Sequence, residues 1–217
     1  MLAPREARAD LPPIPPIVQR DHGWNTVSNI TMMVSAGTVF LMPRVYYSDP
    51  ESTVGWKARW HFSVLAPAMS MTALTLLIDG PIRNAIKSTR PGCTIDQTLD
   101  AYPNAECESF GGPSTQAYAA WGSTGIGLSV FLVDTIKYSS GKFNVPYFIG
   151  MFAVPFTASM IASVGRGVAP GTTTEYENGG QIVAGALTGF GTGLILGLGY
   201  SFFQRPNCGY GNNVFCW

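Results

Sequence analysis

Three arginines and one short turn supply the side chains of this sequence that are best suited to bind an anion. Arg83 begins the segment RNAIKSTRP and Arg90 is its next-to-last residue, whereas Arg166 lies in the later segment ASVGRGVAPG. The turn GGPSTQ places Ser114 and Thr115 directly before an apolar run. Guanidinium groups bind phosphate through paired hydrogen bonds, and the free amides at the start of a helix favour an anion. These residues therefore predict a phosphate-binding site.

Long apolar runs must position these side chains. Only 12% of the 217 residues are charged and 46% are hydrophobic, whereas a soluble domain has about 25% charged residues. A membrane-spanning helix needs about 20 mostly apolar residues. Runs near that length predict an all-α integral membrane bundle of about five helices, and the alternative is a soluble protein with buried helices. The runs are residues 24–43, 60–80, 114–137, 145–165 and 180–203.

The predicted bundle, residues 24–203, lies between two extramembrane segments. Residues 1–23 are proline-rich and lack the apolar stretch of a secretory signal, so LPPIPPI is expected to be extended polyproline II. Residues 204–217 form a C-terminal tail. Both tails are suited to docking on neighbouring subunits. The net charge of zero gives no indication of a nucleic-acid partner.

The fifth run contains a regular row of small residues. A glycine recurs every four residues in GGQIVAGALTGFGTGLILGLGY, which places a stripe on one helix face: Gly185, Gly189, Gly193 and Gly197. In lipid, such a stripe allows two helix backbones to approach closely. It predicts tight packing and leaves open whether the partner helix belongs to this chain or to another.

Five spans would place the two termini on opposite sides of a membrane. The arginines, the GGPSTQ turn and the N-terminal tail would share one side, which we call the motif side. Lys and Arg are divided almost equally between the two sides, and several of those on the motif side belong to the predicted site. The positive-inside rule then favours an extracytoplasmic motif side. We expect a bacterial inner membrane, with the mitochondrial inner membrane and the endoplasmic reticulum as alternatives.

The cysteines form two sequence pairs, and neither has the spacing of a zinc or redox site. Cys93 and Cys107 are disulfide candidates that would close an acidic loop on the motif side, and two unpaired thiols are the alternative. Cys208 and Cys216, in the C-terminal tail, are the second candidate pair. We expect no metal and no cofactor.

The anion-binding segments resemble the type 2 phosphatidic acid phosphatase (PAP2) and haloperoxidase superfamily. The motif of that superfamily reads KxxxxxxRP, PSGH and SRxxxxxHxxxD, with an apolar-AGA run after the aspartate. Here RNAIKSTRP, GGPSTQ, the arginine of ASVGRG and IVAGALTG follow in the same order across roughly residues 60–203. The resemblance implies a PAP2-like bundle, although the family usually has six spans. It also implies that Arg83, Arg90, Ser114 and Arg166 hold a phosphate.

The resemblance breaks at the two catalytic histidines. In the family, one histidine protonates the leaving oxygen, and Gln116 takes its place here. The other histidine attacks phosphorus and is oriented by an aspartate. Counting from Arg166 puts Thr172 at the nucleophile position, whereas aligning on IVAGALTG puts Glu177 there and Gln181 at the aspartate.

A site without these histidines is expected to be inactive. Imidazole is a nucleophile that is neutral and basic near pH 7, and a glutamine cannot act as a general acid. Loss of such a proton transfer lowers a rate about 10²–10⁴-fold. Two routes to activity remain open: His22 of the N-terminal tail could reach the site, or Glu177 could act as a carboxylate nucleophile.

The sequence leaves open whether the arginines bind a lipid phosphate or pair with acidic residues of the motif side. Those residues are Asp96, Asp100, Glu106, Glu108 and Glu175. We predict an inactive PAP2-like accessory subunit of a larger membrane complex, with other membrane proteins and phospholipids as partners. The alternative is an active phosphatase for phosphatidic acid or prenyl diphosphates with altered catalytic residues. A transporter or channel is a more distant alternative, since the spans show no series of charged residues.

Overall fold

The chain is mostly helical in the residues that the computed structural model describes, which are 22–47, 55–59, 65–91, 95, 110–168 and 177–203. Each predicted apolar run overlaps a helical stretch, and the stretch in the second run continues to Ile86, beyond the end of that run. In chain order the α-helices are α1 (His22–Leu41), α2 (Leu65–Leu77), α3 (Arg83–Ile86), α4 (Thr115–Val133), α5 (Val145–Phe148), α6 (Val154–Val168) and α7 (Gly179–Phe203).

Three helical stretches of the described chain are long and apolar enough to cross a membrane. They are Thr115–Tyr138, Val145–Gly167 and Gly179–Phe203, and they correspond to the third, fourth and fifth predicted spans. The helices α1 and α2 occupy the first and second runs but do not belong to this set. The structure is therefore that of a helical protein with three candidate spans.

Short π-helical turns interrupt two of the helical stretches, at Ile78–Ile82 and Ile149–Ala153, and a third, Asp134–Tyr138, ends the stretch that begins with α4. Pro81 lies inside the first turn, and Pro155 follows the third. Proline has no amide hydrogen, and its ring blocks the carbonyl four residues earlier, so a regular α-helix cannot continue unchanged through it. A widened turn lets the helix proceed past the proline.

The glycine stripe of α7 packs directly against α4. A Cβ at Gly185 or Gly189 would overlap the carbonyl oxygens of Ser114 and Tyr118, and one at Gly193 would overlap that of Gly122. The two helices run parallel, because the residue numbers of the glycines on α7 and of the residues they contact on α4 both increase in steps of four. The stripe therefore has its partner helix within the same chain.

Small hydroxyl side chains join α1, α4 and α6 in the middle of the bundle. Thr124 Oγ1 lies 2.9 Å from Ser159 Oγ, which lies 3.1 Å from Ser35 Oγ, and all three residues are fully buried. Ser35 also donates to the carbonyl of Ala120 at 3.0 Å. Hydroxyls that bond across helices let polar residues remain inside an apolar bundle. The Ser and Thr content that dilutes the third run thus lies at helix contacts.

A two-stranded hairpin, which the sequence analysis did not predict, follows α1. Strand β1 (Arg44–Tyr47) pairs antiparallel with β2 (Trp56–Arg59), and Arg44 lies opposite Arg59. The hairpin is attached to the end of the bundle where the π-turn after α4 lies, since the amide of Tyr47 donates to Ser139 Oγ at 2.9 Å. The two ends of the bundle therefore differ: one has the hairpin, and the other has the arginines and the GGPSTQ turn.

Replacement of Gly193 by alanine is expected to destabilise the protein. The new methyl group would press on the backbone of α4, and overpacking of this kind costs about 1–3 kcal/mol. Gly191 lies on the same helix with no neighbour within 4 Å of its hypothetical Cβ. G191A should therefore be neutral or slightly stabilising, because alanine favours a helix over glycine. Thermal unfolding in detergent measures both variants, and equal midpoints would contradict the close contact.

Candidate functional site

The three arginines converge at the end of the bundle opposite the hairpin. Arg83 opens α3, Arg90 follows that helix, and Arg166 lies in the last turn of α6. All three are buried, with 3–6% of their surface exposed. The side chain of Glu177, two residues before α7, lies beside two of them: its Oε1 is 2.6 Å from Arg83 Nη2 and 3.9 Å from Arg90 Nη1. The amide of Glu177 also donates to the carbonyl of Arg166 at 3.4 Å. We call these four residues the arginine cluster.

Arg83 has most of its hydrogen-bonding capacity engaged within the protein. Its Nε donates to the carbonyl of Pro113 and its Nη2 to that of Gly111, both at 3.1 Å. Its Nη1 donates to Asp79 at 2.7 Å, in addition to the bond from Nη2 to Glu177. Arg83 thus links the backbone of the GGPSTQ turn to the carboxylates of Asp79 and Glu177.

Glu177 is the most deeply buried charge of the cluster. Its side chain has no exposed surface. A carboxylate in such a place requires cationic partners, and removal of one partner of a buried pair is strongly destabilising. Its second oxygen, Oε2, has no hydrogen-bond partner among the described residues. The cluster therefore contains an anion that belongs to the protein itself.

Burial lowers the pKa of Arg90 to about 10. The carboxylate of Glu177 opposes this shift, whereas the positive charges of Arg83 and Arg166 add to it. Burial is thus the main cause of the lowered pKa, and Arg83, Arg166 and Glu177 all lie close enough to Arg90 to influence its charge.

The GGPSTQ turn uses its polar groups for the fold. Ser114 caps α4, because its Oγ accepts from the amide of Ala117 at 3.2 Å, and its own amide donates to the carbonyl of Gln181 at 3.0 Å. Thr115 Oγ1 donates to Asp79 at 2.9 Å. Both predicted anion-binding residues thus lie beside the cluster and make internal contacts.

Close approach requires glycine at the start of this turn. A Cβ at Gly111 would lie 2.9 Å from Arg90 Cγ and from Gln181 Nε2. The amide of Gly111 donates to the carbonyl of Ser88 at 2.8 Å. The turn, the segment before Arg90 and the start of α7 are consequently packed into one unit.

The two glutamines of the predicted catalytic positions differ in their surroundings. Gln181 donates from Nε2 to Ser88 Oγ and to the carbonyl of Thr89, both at 2.9 Å. It also exchanges two 2.9 Å hydrogen bonds with Asn178. Gln116 is half-buried, and its Oε1 has no hydrogen-bond partner among the described residues. Gln181 is therefore a cross-link between segments, and neither side chain is a titrating group.

Several sequence predictions fall on other parts of the chain. Thr172 and the four cysteines, Cys93, Cys107, Cys208 and Cys216, lie outside the described residues. So do the acidic residues that we considered as partners of the arginines: Asp96, Asp100, Glu106, Glu108 and Glu175. His22 begins α1, but its side chain is not described. Within the described residues, carboxylates of Glu177 and Asp79 pair with the cluster.

Sequence reasoning overlooked two side chains of the site. Asp79 precedes Arg83 by four residues, a helical spacing that indicates an ion pair and could have identified it. Asn25 Oδ1 accepts from Arg166 Nη1 at 2.9 Å. Asn25 is one of the polar residues in the opening turns of the first run. This contact explains why the start of α1 is polar, and it joins α1 to the end of α6.

A groove of about 410 Å³ opens beside the cluster. Its walls include Ile86, Pro113, Gln181, Ala184 and Thr188. The volume falls within the range of small-molecule sites, which is roughly 300–1,000 Å³. No three side chains of the His, Cys, Asp and Glu types are grouped as a metal site would need in the described part of the chain.

A second buried ion pair lies at the hairpin end and was not anticipated. Arg44 of β1 binds Asp134, which begins the π-turn after α4, through Nε at 3.0 and 3.1 Å and through a short contact from Nη2. Tyr147 donates to Asp134 Oδ2 at 2.7 Å. All three side chains are at most 1% exposed. The pair holds the hairpin on the bundle, and it is a single closed pair, unlike the series of charges that a transport path requires.

We expect D134N to lower the free energy of unfolding by about 3–5 kcal/mol, because it leaves Arg44 buried without a charged partner. The conservative variant Y147F removes one hydrogen bond from the same carboxylate and should cost only about 1 kcal/mol. Unfolding in detergent, followed by circular dichroism, compares the two. Similar losses for both would show that the ion pair does not hold the hairpin.

Comparison with known proteins returns no matching family model, no matching curated protein and no matching solved structure. The fold and the arrangement of the cluster are therefore the findings on which a functional proposal must rest.

Proposed function

We propose that this chain is a catalytically inactive, PAP2-like membrane protein that serves as an accessory subunit of a larger membrane complex. The observation that carries the proposal is the buried carboxylate of Glu177, bound to Arg83 among the three arginines. In the PAP2 pattern aligned on IVAGALTG, this is the position of the nucleophilic histidine. A protein anion there takes the place of substrate.

The chemistry of the cluster supports inactivity. A carboxylate that is bonded to guanidiniums is a poor nucleophile, and its charge repels an incoming phosphate. Gln116 has no titrating proton with which to assist a leaving group. The side chains that would bind a phosphate are thus retained, whereas those that would break an ester are replaced.

The arrangement of the helix ends supports five spans. Contacts join the starts of α1, α4 and α7 to the end of α6 at the arginine end, through Asn25–Arg166 and Ser114–Gln181. Arg44, Asp134 and Lys137 lie at the other end, where Lys137 Nζ donates to the carbonyl of Phe202 at 2.7 Å. On this proposal α1 and α2 complete the bundle, in a bacterial inner membrane with an extracytoplasmic arginine end.

The open face of α7 supports a partner in the membrane. Opposite its glycine stripe, the side chains of Leu187 and Ile195 are 69% and 73% exposed. A Cβ at Gly191 or Gly199 on this helix would have no neighbour within 4 Å. An apolar face with gaps of this size suits lipid chains or the helices of another subunit.

The second candidate is an active lipid-phosphate phosphatase. The convergence of Arg83, Arg90 and Arg166 favours it, because neighbouring guanidiniums can supply the charge stabilisation that phosphoryl chemistry requires. Glu177 would then be the nucleophile or, less directly, His22 would approach from the N-terminal segment.

An assay of the purified protein with phosphatidic acid and prenyl diphosphates separates the two candidates. We expect no phosphate release above that of a detergent blank, together with stoichiometric co-purification of other membrane proteins under mild detergent. Activity that is lost in E177Q or in H22A would contradict the proposal and would identify the nucleophile. Activity that survives in both variants indicates a contaminating enzyme.

Replacement of Arg90 tests whether the cluster retains a phospholipid. If it does, R90A should lose co-purified phospholipid, measured by lipid extraction and mass spectrometry, relative to R44A at the hairpin end. A purely structural cluster would give R90A and R44A the same lipid content, and both would lose only stability.

A further inference from the structure

Two exposed lysines lie where the candidate spans meet the hairpin end. Lys137 is the next-to-last residue of the span Thr115–Tyr138, and Lys142 lies three residues before the span Val145–Gly167 begins. The third span ends beside them, because Lys137 Nζ donates to the carbonyl of Phe202 at 2.7 Å. In a membrane crossed by these spans, both lysines therefore lie at the level of the lipid headgroups of one leaflet.

Each of these lysines lies over an aromatic ring. The Nζ atom of Lys137 is 4.0 Å from the ring centroid of Phe202, and that of Lys142 is 3.4 Å from the ring centroid of Tyr47. A ring face attracts a cation, so these contacts position the two ammonium groups. An ammonium has three donors. Lys137 uses one of them for the carbonyl of Phe202, and both side chains therefore keep donors for an acceptor outside the bundle.

The neighbouring aromatic side chains are typical of a membrane interface. Trp56 is 39% exposed and packs edge-on against Tyr47, with ring centroids 5.3 Å apart. Phe143, which follows Lys142 in the chain, is 54% exposed. Trp and Tyr are enriched where the acyl chains of a bilayer meet the headgroups. The same end of the bundle thus combines exposed cations with aromatic residues suited to that depth.

The hairpin end also carries an excess of positive charge. Its carboxylate within the described residues, Asp134, is buried in the ion pair described above, and neither lysine pairs with a carboxylate of that part of the chain. Residues 44–59 and 134–144 contain five Lys and Arg and three Asp and Glu. This count includes Asp49 and Glu51, which lie outside the described residues. The excess therefore remains when the acidic residues between the strands are counted.

We propose that the hairpin end binds anionic phospholipids, with Lys137 and Lys142 contacting their headgroup phosphates. A negative membrane surface attracts a basic residue beside a span by about fivefold in affinity for each residue. An acidic segment of another subunit offers the same charge, but the ends of the spans place the lysines at headgroup level, which favours lipid. On the topology proposed above, this end faces the cytoplasmic leaflet.

The inference goes beyond the proposed function. It needs only that the three candidate spans cross a membrane, and it involves neither the arginine cluster nor the loss of catalysis.

Titration with an anionic lipid tests the inference. The purified protein in neutral detergent is titrated with phosphatidylglycerol or, for comparison, with phosphatidylcholine, and thermal unfolding reports binding, since a ligand of the folded state stabilises it. We expect the apparent Kd for phosphatidylglycerol to rise about fivefold in K137Q or K142Q and about 25-fold in the double variant. The response to phosphatidylcholine should not change.

Matched variants separate position from charge in general. K137R and K142R keep the positive charge and should bind phosphatidylglycerol as the unmodified protein does. K87Q removes another exposed lysine, which directly follows α3 at the arginine end, and it should also retain that affinity. Equal weakening in K87Q and in the hairpin-end variants would show a general attraction and would overturn the inference.

Two further outcomes decide against the proposed lipid site. An unchanged affinity of the double variant for phosphatidylglycerol would disprove it, and K142Q alone suffices for this comparison if substitution of Lys137 prevents folding. Loss of a co-purified protein subunit from these variants, with lipid binding unaltered, would show that the lysines bind an acidic partner instead. Phosphoester turnover contradicts only the proposed function, so failure of one proposal is distinguishable from failure of the other.

Discussion

The contact between the backbones of α4 and α7 is the constraint on which the rest of the structure depends. Glycines on α7 bring the two helices together along their whole shared length, and the first of these contacts, Gly185 on Ser114, lies at the edge of the arginine cluster. That contact places the cap of α4 beside Gln181, which in turn binds the segment preceding Arg90. The position of the site is thus fixed by helix packing.

Both ends of the bundle bury charge, and they do so for different reasons. At the hairpin end, one arginine and one aspartate satisfy each other, and the result is attachment of the hairpin. At the opposite end, Arg83 and Arg90 approach the same oxygen of Glu177, and Arg83 also pairs with Asp79. A stable fold needs only the former arrangement. The buried carboxylate of Glu177, one oxygen of which has no hydrogen-bond partner among the described residues, is the reason to regard the latter as a candidate site.

The sequence allowed the helices to be predicted, because apolar runs can be recognised from neighbouring residues. It also allowed the convergence of Arg83, Arg90 and Arg166 to be predicted, because the order of the motifs along the chain places them on one side of the bundle. It did not allow the pairing of Arg44 with Asp134. Those residues are far apart in sequence, and nothing near either one indicates which cation meets which carboxylate. The ion pair of Asp79 with Arg83 could have been predicted, because the two residues are four positions apart on a helix. The role of Glu177 required the structure, because two alignments of the third motif were equally acceptable and only the fold places this side chain among the arginines.

The row of glycines has a geometric consequence for how α7 finds its place. Contacts that repeat every four residues are nearly periodic with the helix turn, so a displacement of α7 by one turn would set each glycine opposite another permissive position on α4. The row of glycines alone therefore allows close packing without selecting one register of α7 against α4. Two unique hydrogen bonds select the register: the amide of Ser114 to the carbonyl of Gln181, and Ser129 Oγ to the carbonyl of Leu194. These hydrogen bonds favour one of several similar alignments of the two helices. The bond between Ser114 and Gln181 also lies beside the arginine cluster.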